Sequence, residues 1–149
     1  MSNPELVPGL AGIPAAESSI SFIDGQAGVL EYRGYKIEDL SANSTYEEVA
    51  WLLLYGELPT ADELSAFEAD LGRLRELPEA LVKMIQAMPA TAHPMQALQA
   101  SLAGLGMVSP KTNLRDAASK DEACRRVIAC TPVLVAAFER VRAGKDYVA

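Results

Sequence analysis

The stretch from Met84 to Ser109 contains no Asp, Glu, Lys or Arg, and this absence of charge constrains the fold more than any other feature. Within it, residues 95–108 are predicted to form a helix. A surface helix normally combines one apolar stripe with a charged face, whereas this helix has two uncharged faces. One face is bulky and the other small: Met95, Leu98, Leu102 and Leu105, against Ala97, Ser101, Gly104 and Val108. We therefore expect protein to cover this helix on both sides.

Chain length and charge limit the class of protein. The 149 residues are long enough for one domain with a substantial core, and half of them are hydrophobic. The formal net charge of -7 argues against a nucleic-acid partner, because such partners favour basic surfaces. No uninterrupted apolar run reaches the roughly 18 residues of a membrane span. The first residues also lack the basic and apolar segments of a secretory signal.

The two cysteines and the single histidine narrow the possible chemistry. Cys124 and Cys130 lie six positions apart on one predicted helix and point in different directions. We expect no disulfide between them, which favours a reduced, cytoplasmic protein. With only one histidine, His93, the chain offers no set of ligands at metal-site spacing, so no metal is predicted.

The order of the predicted elements indicates a mainly α fold. Residues 1–17, rich in Pro, Gly and Ala, are predicted to be an extended arm. Residues 18–34 are predicted to form a β-hairpin around the turn residues that follow Asp24. Residues 44–149 have helical patterns throughout. Three capping boxes are predicted at helix starts, each pairing a hydroxyl residue with a Glu three positions later: Ser44 with Glu47, Thr60 with Glu63, and Ser119 with Glu122.

Two side chains are candidates for substrate binding. His93 precedes Pro94 at a predicted helix start, so it has either a local capping or packing role or a place in a ligand pocket. Arg33 lies between Tyr32 and Tyr35. An arginine among aromatic residues serves as a planar hydrogen-bonding anchor, either structural or facing a ligand. No arrangement of nucleophile and base is recognisable.

Four segments carry a recognisable family pattern: Ile20–Gly25, Gly28–Tyr35, Gly56–Pro59 and His93–Met95. In order and spacing they resemble the N-terminal segments of citrate synthases of the short bacterial or archaeal type, and the match continues from Gly9 onward. The resemblance implies a multi-helical large-domain fragment over residues 18–149, with a small N-terminal hairpin. The related 2-methylcitrate synthases share these segments, so they remain an alternative.

The resemblance also implies an activity. Citrate synthases condense acetyl-CoA with oxaloacetate to give citrate and CoA in the tricarboxylic acid cycle, using an Asp, two His and carboxylate-binding Arg residues and no cofactor beyond the substrate. This chain has one His, so we assign no catalytic residue to it and expect it to be inactive alone. A non-catalytic helical dimerisation module is the alternative that keeps the same helices without the enzyme.

Family resemblance further implies a homodimer. In the family, antiparallel helices form the subunit interface, and here helices 95–108 and 120–142 are expected to face a second copy. The small face of the first helix is predicted to contact that copy, and the bulky face, through Leu98 and Leu102, its own chain. The predicted interface residues are Ala97, Ser101, Gly104, Val108, Val127, Leu134 and Phe138.

Overall fold

The computed structural model describes residues 12, 16–113 and 115–148, which form six helices and a three-stranded sheet. The chain divides into two compact units, residues 1–64 and 65–149. The predicted arm over residues 1–17 lies largely outside the described residues. The predicted single domain over residues 18–149 stays a prediction. None of the described helices combines the length and the hydropathy that a membrane span requires.

The first unit contains an antiparallel sheet in the order β1 (Ser21–Asp24), β2 (Val29–Tyr32) and β3 (Tyr35–Lys36). Asp24 shapes the first turn, because its Oδ1 accepts from the backbone N–H groups of residues 26 and 27, both at 3.0 Å. Residues 33 and 34 make the second turn, with φ of 51° and 87°. The predicted two-stranded hairpin is therefore incomplete, since β3 adds a third strand.

Two helices complete the part of the first unit that precedes residue 60: α1 (Ile37–Asn43), which packs on β2 and β3, and α2 (Tyr46–Tyr55). A capping box begins α2, but it pairs Thr45 with Glu48 and not the predicted Ser44 with Glu47. The Thr45 N–H donates to the Glu48 carboxylate at 2.6 Å, and the Glu48 N–H donates back to the Thr45 hydroxyl at 3.2 Å. Gly56, with φ of 98°, ends the helix.

The boundary between the units falls inside α3 (Ala61–Leu74). The predicted capping box of Thr60 and Glu63 is confirmed at its start. The Glu63 carboxylate accepts from the Thr60 N–H at 2.8 Å, and the Thr60 hydroxyl accepts from the Glu63 N–H at 3.4 Å. Hydrogen bonds from the backbone and side chain of Thr60 lower the pKa of Glu63 below its ordinary value.

The second unit has a core built by three mutually packed helices, α4 (Glu79–Gln86), α5 (Pro94–Val108) and α6 (Ala117–Arg142). Asp116 caps α6 through its carboxylate, which accepts from the Ser119 N–H at 2.7 Å. The predicted Ser119–Glu122 box is wrong, because the Ser119 hydroxyl instead accepts from the Asn113 N–H at 2.8 Å. The core cluster consists of Leu77, Leu81, Ile85, Ala97, Leu105, Cys130, Leu134, Ala137 and Phe138.

Two polar contacts join α3 to α6 within the second unit. Asp70 pairs with Arg125, and Arg125 also contacts Asp121 at 2.8 Å. The buried thiol of Cys130 donates to the carbonyl of Leu74 at 3.1 Å. Burial raises the pKa of the Cys130 thiol, although the positive charge of Arg126 acts in the opposite direction. Cys124 is exposed, and both cysteines are free.

Candidate functional site

The small face of α5 lies inside, unlike in the sequence prediction, while Leu98 and Leu102 of the bulky face pack against the chain's own core as predicted. Ala97, Ser101 and Gly104 on the small face are buried against the chain's own helices. Met95, on the bulky face, is 63% exposed. Of that bulky face only Leu105 is fully buried, while Leu98 and Leu102 are partly buried at the edge of the core cluster. The burial of these three residues therefore gives no support to the prediction that they contact a second copy.

Gly104 shows why the small face lies inside. A Cβ atom at this position would lie 2.4 Å from Cε and 2.9 Å from Sδ of Met84, and 3.0 Å from Cδ1 of Leu81. Both side chains belong to α4, so a glycine here lets α4 approach the backbone of α5 closely. Ser101, one turn earlier, is fully buried, and its hydroxyl has no hydrogen-bond partner among the described residues. These small residues therefore serve packing within the chain.

The predicted interface residues of α6 divide in a similar way. Leu134 is only 1% exposed, and Phe138 is also buried in the core cluster. A side chain so fully covered by its own chain offers little surface to a second copy, so this burial gives no support to either assignment. Val108 of α5 and Val127 of α6 are exposed, and their place in an interface stays a prediction.

A different set of residues forms the exposed faces of α5 and α6. On α5 they are Met95, Gln96, Gln99, Ala100, Ala103, Gly106 and Met107, of which Met107 is 76% exposed. In the middle of α6 they are Pro132, Val135 and Ala136. Neither set contains a charge. A Cβ added at Gly106 would meet nothing within 4 Å, which contrasts with the crowded position of Gly104.

The sequence predictions did not identify the exposed face of α5, although the sequence contains a signal for it. Gln96 and Gln99 are the only polar side chains between the two stripes of α5, and they lie on its exposed side. Long polar side chains are rarely buried without partners. Their positions therefore mark the side of the helix that its own chain leaves uncovered.

His93 caps α5. Its backbone is extended, and the Met95 N–H donates to His93 Nδ1 at 3.2 Å. Pro94 follows at the first helical position, where its missing N–H costs no hydrogen bond. The local capping role expected from the sequence is thus present, and the substrate-binding role of His93 stays a prediction.

Arg33 joins the sheet to α2 within the first unit. Its guanidinium donates to the Ser19 hydroxyl and to the backbone carbonyl of Leu53, both at 3.0 Å. Its φ of 51° is in the left-handed region, where side chains are uncommon, so the turn holds it in an unusual conformation. These contacts support the structural role, and a substrate contact by Arg33 stays a prediction.

A groove of about 360 Å³ lies between the end of α5 and the start of α6. Its polar lining includes Ser109, Lys111, Asp116 and Arg126. Arg126 is paired with Glu122 at 2.8 Å, and Asp116 is engaged in capping α6, so two of these groups already have partners. Among the described residues no group of three or more His, Cys, Asp or Glu side chains is placed to hold a metal ion.

Comparison with known proteins assigns the chain to a family. A family model described as "Citrate synthase, C-terminal domain" matches residues 9–149. The chain belongs to the citrate synthase family. A curated relative, citrate synthase from Acidithiobacillus ferridurans, is 44% identical over 151 residues, covering 98% of this chain and 39% of the relative. The chain therefore spans about two-fifths of the length of this relative.

Other members support the same assignment. The crystal structure of citrate synthase from Pyrobaculum aerophilum superposes with a TM-score of 0.87 at 37% identity, covering all of this chain and 40% of that one. A curated 2-methylcitrate synthase from Shewanella oneidensis is 36% identical and covers 89% of this chain. The predicted family and the mainly helical citrate synthase-like fold are confirmed.

Proposed function

We propose that this chain is the N-terminal part of a citrate synthase. The whole protein condenses acetyl-CoA with oxaloacetate and releases citrate and CoA, a reaction of the tricarboxylic acid cycle. The single observation that supports this function is the 44% identity to the Acidithiobacillus citrate synthase over almost the whole chain. The N-terminal position is supported by the motifs Ile20–Gly25 and His93–Met95, although the matching family model is described as a C-terminal domain.

The chain is proposed to be inactive alone. By family resemblance the reaction uses two catalytic histidines, and this sequence has one, which caps a helix. The test is a measurement of CoA release from acetyl-CoA and oxaloacetate by the purified chain. We expect no release above background. Turnover that rises with the concentration of this chain would show that the catalytic residues are present in it.

A 2-methylcitrate synthase is the second candidate, favoured by the Shewanella relative. A product with one additional methyl group requires an acyl-CoA that is longer by one carbon. We therefore propose a competition assay on the full product of the gene that encodes this chain, with acetyl-CoA and propionyl-CoA supplied together. Preferential incorporation of the acetyl group supports citrate synthase, and preferential incorporation of propionyl supports the alternative.

The proposed partner is a second copy, which contacts the exposed faces of α5 and α6. Their lack of charge supports this proposal, because an obligate interface resembles a core cut in half. The substitution Met107→Asp places a charge on the exposed face of α5 and is expected to weaken self-association at least tenfold in sedimentation equilibrium. Gln86→Asp adds the same charge to an exposed position of α4 and is the matched control. Equal self-association of the two variants would contradict this interface.

A non-catalytic dimerisation module needs the same helices. The gene sequence distinguishes such a module from part of an enzyme. An in-frame continuation beyond Ala149 that encodes the family's histidine motifs would exclude the module.

We further propose a cytoplasmic location, which the two free cysteines support because thiols persist in a reducing compartment. Fractionation of cells that express the tagged protein tests the location, and recovery from another compartment would contradict it.

A further inference from the structure

Strand β1 of the first unit is uncovered on both of its faces. Successive side chains of a strand point to opposite sides of the sheet. Phe22 and Ile23 are successive residues of β1, yet Phe22 is 58% exposed and Ile23 is 70% exposed. The strand also lies at an edge of the sheet, since the strand order is β1–β2–β3. Within the sheet, β1 therefore pairs with another strand along one edge only, the edge that faces β2.

The first unit has little core of its own to compensate for this exposure. Its fully buried apolar residues among those described are Leu40, Ala50 and Leu52. None of them belongs to the sheet, in which β2 is half-buried and packs with α1, whereas the apolar side chains of β1 are exposed. The open strand therefore lacks a cover within the described chain.

The share of a solved relative that this chain matches indicates which polypeptide packs on β1. The chain superposes completely on 40% of the Pyrobaculum citrate synthase, so roughly three-fifths of that fold lies outside the match. A surface left open by two-fifths of a fold is most simply covered by the other three-fifths. A second copy is the alternative occupant, but the proposed dimer already places that copy on α5 and α6, in the other unit.

We propose that β1, through Phe22 and Ile23, docks polypeptide from the three-fifths of the citrate synthase fold that this sequence does not match. The inference rests on the proposed function, because it takes the missing part of that enzyme as its partner. The docking segment contributes apolar side chains to both faces of β1. The same segment is expected to dock whether it belongs to the same polypeptide or is supplied as a separate chain.

Site-specific photo-crosslinking tests this docking directly. Phe22 is replaced by p-benzoylphenylalanine, an aromatic residue that its exposed position can accept. The variant is co-expressed with the unmatched part of the Acidithiobacillus citrate synthase, and the purified mixture is irradiated. Mass spectrometry identifies the attached peptide. We expect that polypeptide to be cross-linked at least tenfold more than by the same replacement at Glu38, an exposed charged position in α1 of the same unit.

Each other outcome overturns the docking. Cross-links from position 22 to a second copy, to residues 1–15 of the same chain, or to nothing would show that this polypeptide does not cover β1. The double substitution Phe22→Asp with Ile23→Asp provides a second measurement. It removes exposed side chains, so the fold is retained, and we expect at least tenfold less co-purified polypeptide. Unchanged recovery would also overturn the proposal.

An activity measurement on the same mixture separates this inference from the proposed function. Cross-links at β1 without formation of citrate or 2-methylcitrate support the docking and contradict the enzymatic proposal. Citrate formation without cross-links at β1 supports the enzymatic proposal and overturns the docking.

Discussion

The two units of the chain differ in how much of their apolar surface they bury. The second unit buries a contiguous cluster that extends from Leu77 to Phe138 across α4, α5 and α6. The first unit fully buries only Leu40, Ala50 and Leu52 among its described residues, and it exposes most of the apolar side chains of β1. Apolar burial is the main favourable term in folding. We infer that the second unit holds most of the stability of this chain and that the first unit depends on further protein.

The largest expected effect comes from removing core volume in the second unit. Leu134→Ala should lower the free energy of unfolding by about 2–5 kcal/mol, because it leaves a cavity in a fully packed site. Phe22→Ala in the first unit, at a largely exposed position, should change it by less than about 0.5 kcal/mol. Urea unfolding followed by circular dichroism measures both variants. Comparable losses would show that the two units contribute equally to stability.

A smaller effect is expected from a pair of glycines on α5. Gly104→Leu must displace Met84 and Leu81, with an overpacking cost of about 1–3 kcal/mol. Gly106→Leu meets no atom within 4 Å. Both substitutions gain the same helix propensity, so their difference in unfolding free energy isolates the packing term. If Gly106→Leu proved the less stable of the two, the assignment of the faces of α5 would be wrong.

The faces of α5 illustrate what periodicity predicts and what it cannot. The charge-free sequence correctly predicts the helix and its start at the His93–Pro94 step. It does not reveal which of two uncharged stripes lies inside, because helical spacing is satisfied by either choice. The decision depends on the Met84 side chain, which reaches the Gly104 position from α4. That contact is a tertiary fact absent from the local pattern.

Smaller errors in the sequence predictions have similar local causes. Two overlapping capping-box patterns exist before α2, and Thr45 with Glu48 forms where Ser44 with Glu47 was equally suitable. Strand β3 has only two residues, too few for a period-two signal. The candidate interface could be predicted only as a pair of helices from family resemblance, whereas the side chains that remain exposed on them follow from packing.

In the second unit, an effect of alkaline pH on stability is expected at Cys130. Burial raises the pKa of the Cys130 thiol in the folded chain above its unfolded value, so the unfolded chain loses this proton first. The resulting stability is fully present below the unfolded pKa, near 9.0, and is lost as pH rises through the folded pKa. Unfolding free energies of the native chain and of Cys130→Ala, compared between about pH 7 and 10.5, should converge as pH rises. A constant difference would contradict this account.

The smallest expected effect concerns the cap of α3. Hydrogen bonds from Thr60 lower the pKa of Glu63, so this interaction is present above the unfolded pKa of 4.5 and is lost as pH falls through the folded value. Thr60→Ala removes the side-chain bond but keeps the backbone bond, and should return the pKa of Glu63 part of the way. Carboxyl carbon chemical shifts measured by NMR during acid titration report this change. An unaltered titration would mean that the hydroxyl does not contribute.

The difference between the units is tested most directly by comparing two probes in one urea titration. Trp51, the sole tryptophan, lies in α2 and reports on the first unit. Far-ultraviolet circular dichroism is dominated by α5 and α6, with 15 and 26 residues, in the second unit. We predict that Trp51 fluorescence changes at a clearly lower urea concentration than the circular dichroism signal. Superimposable transitions would indicate one cooperative unit and would contradict the inference that the first unit depends on further protein.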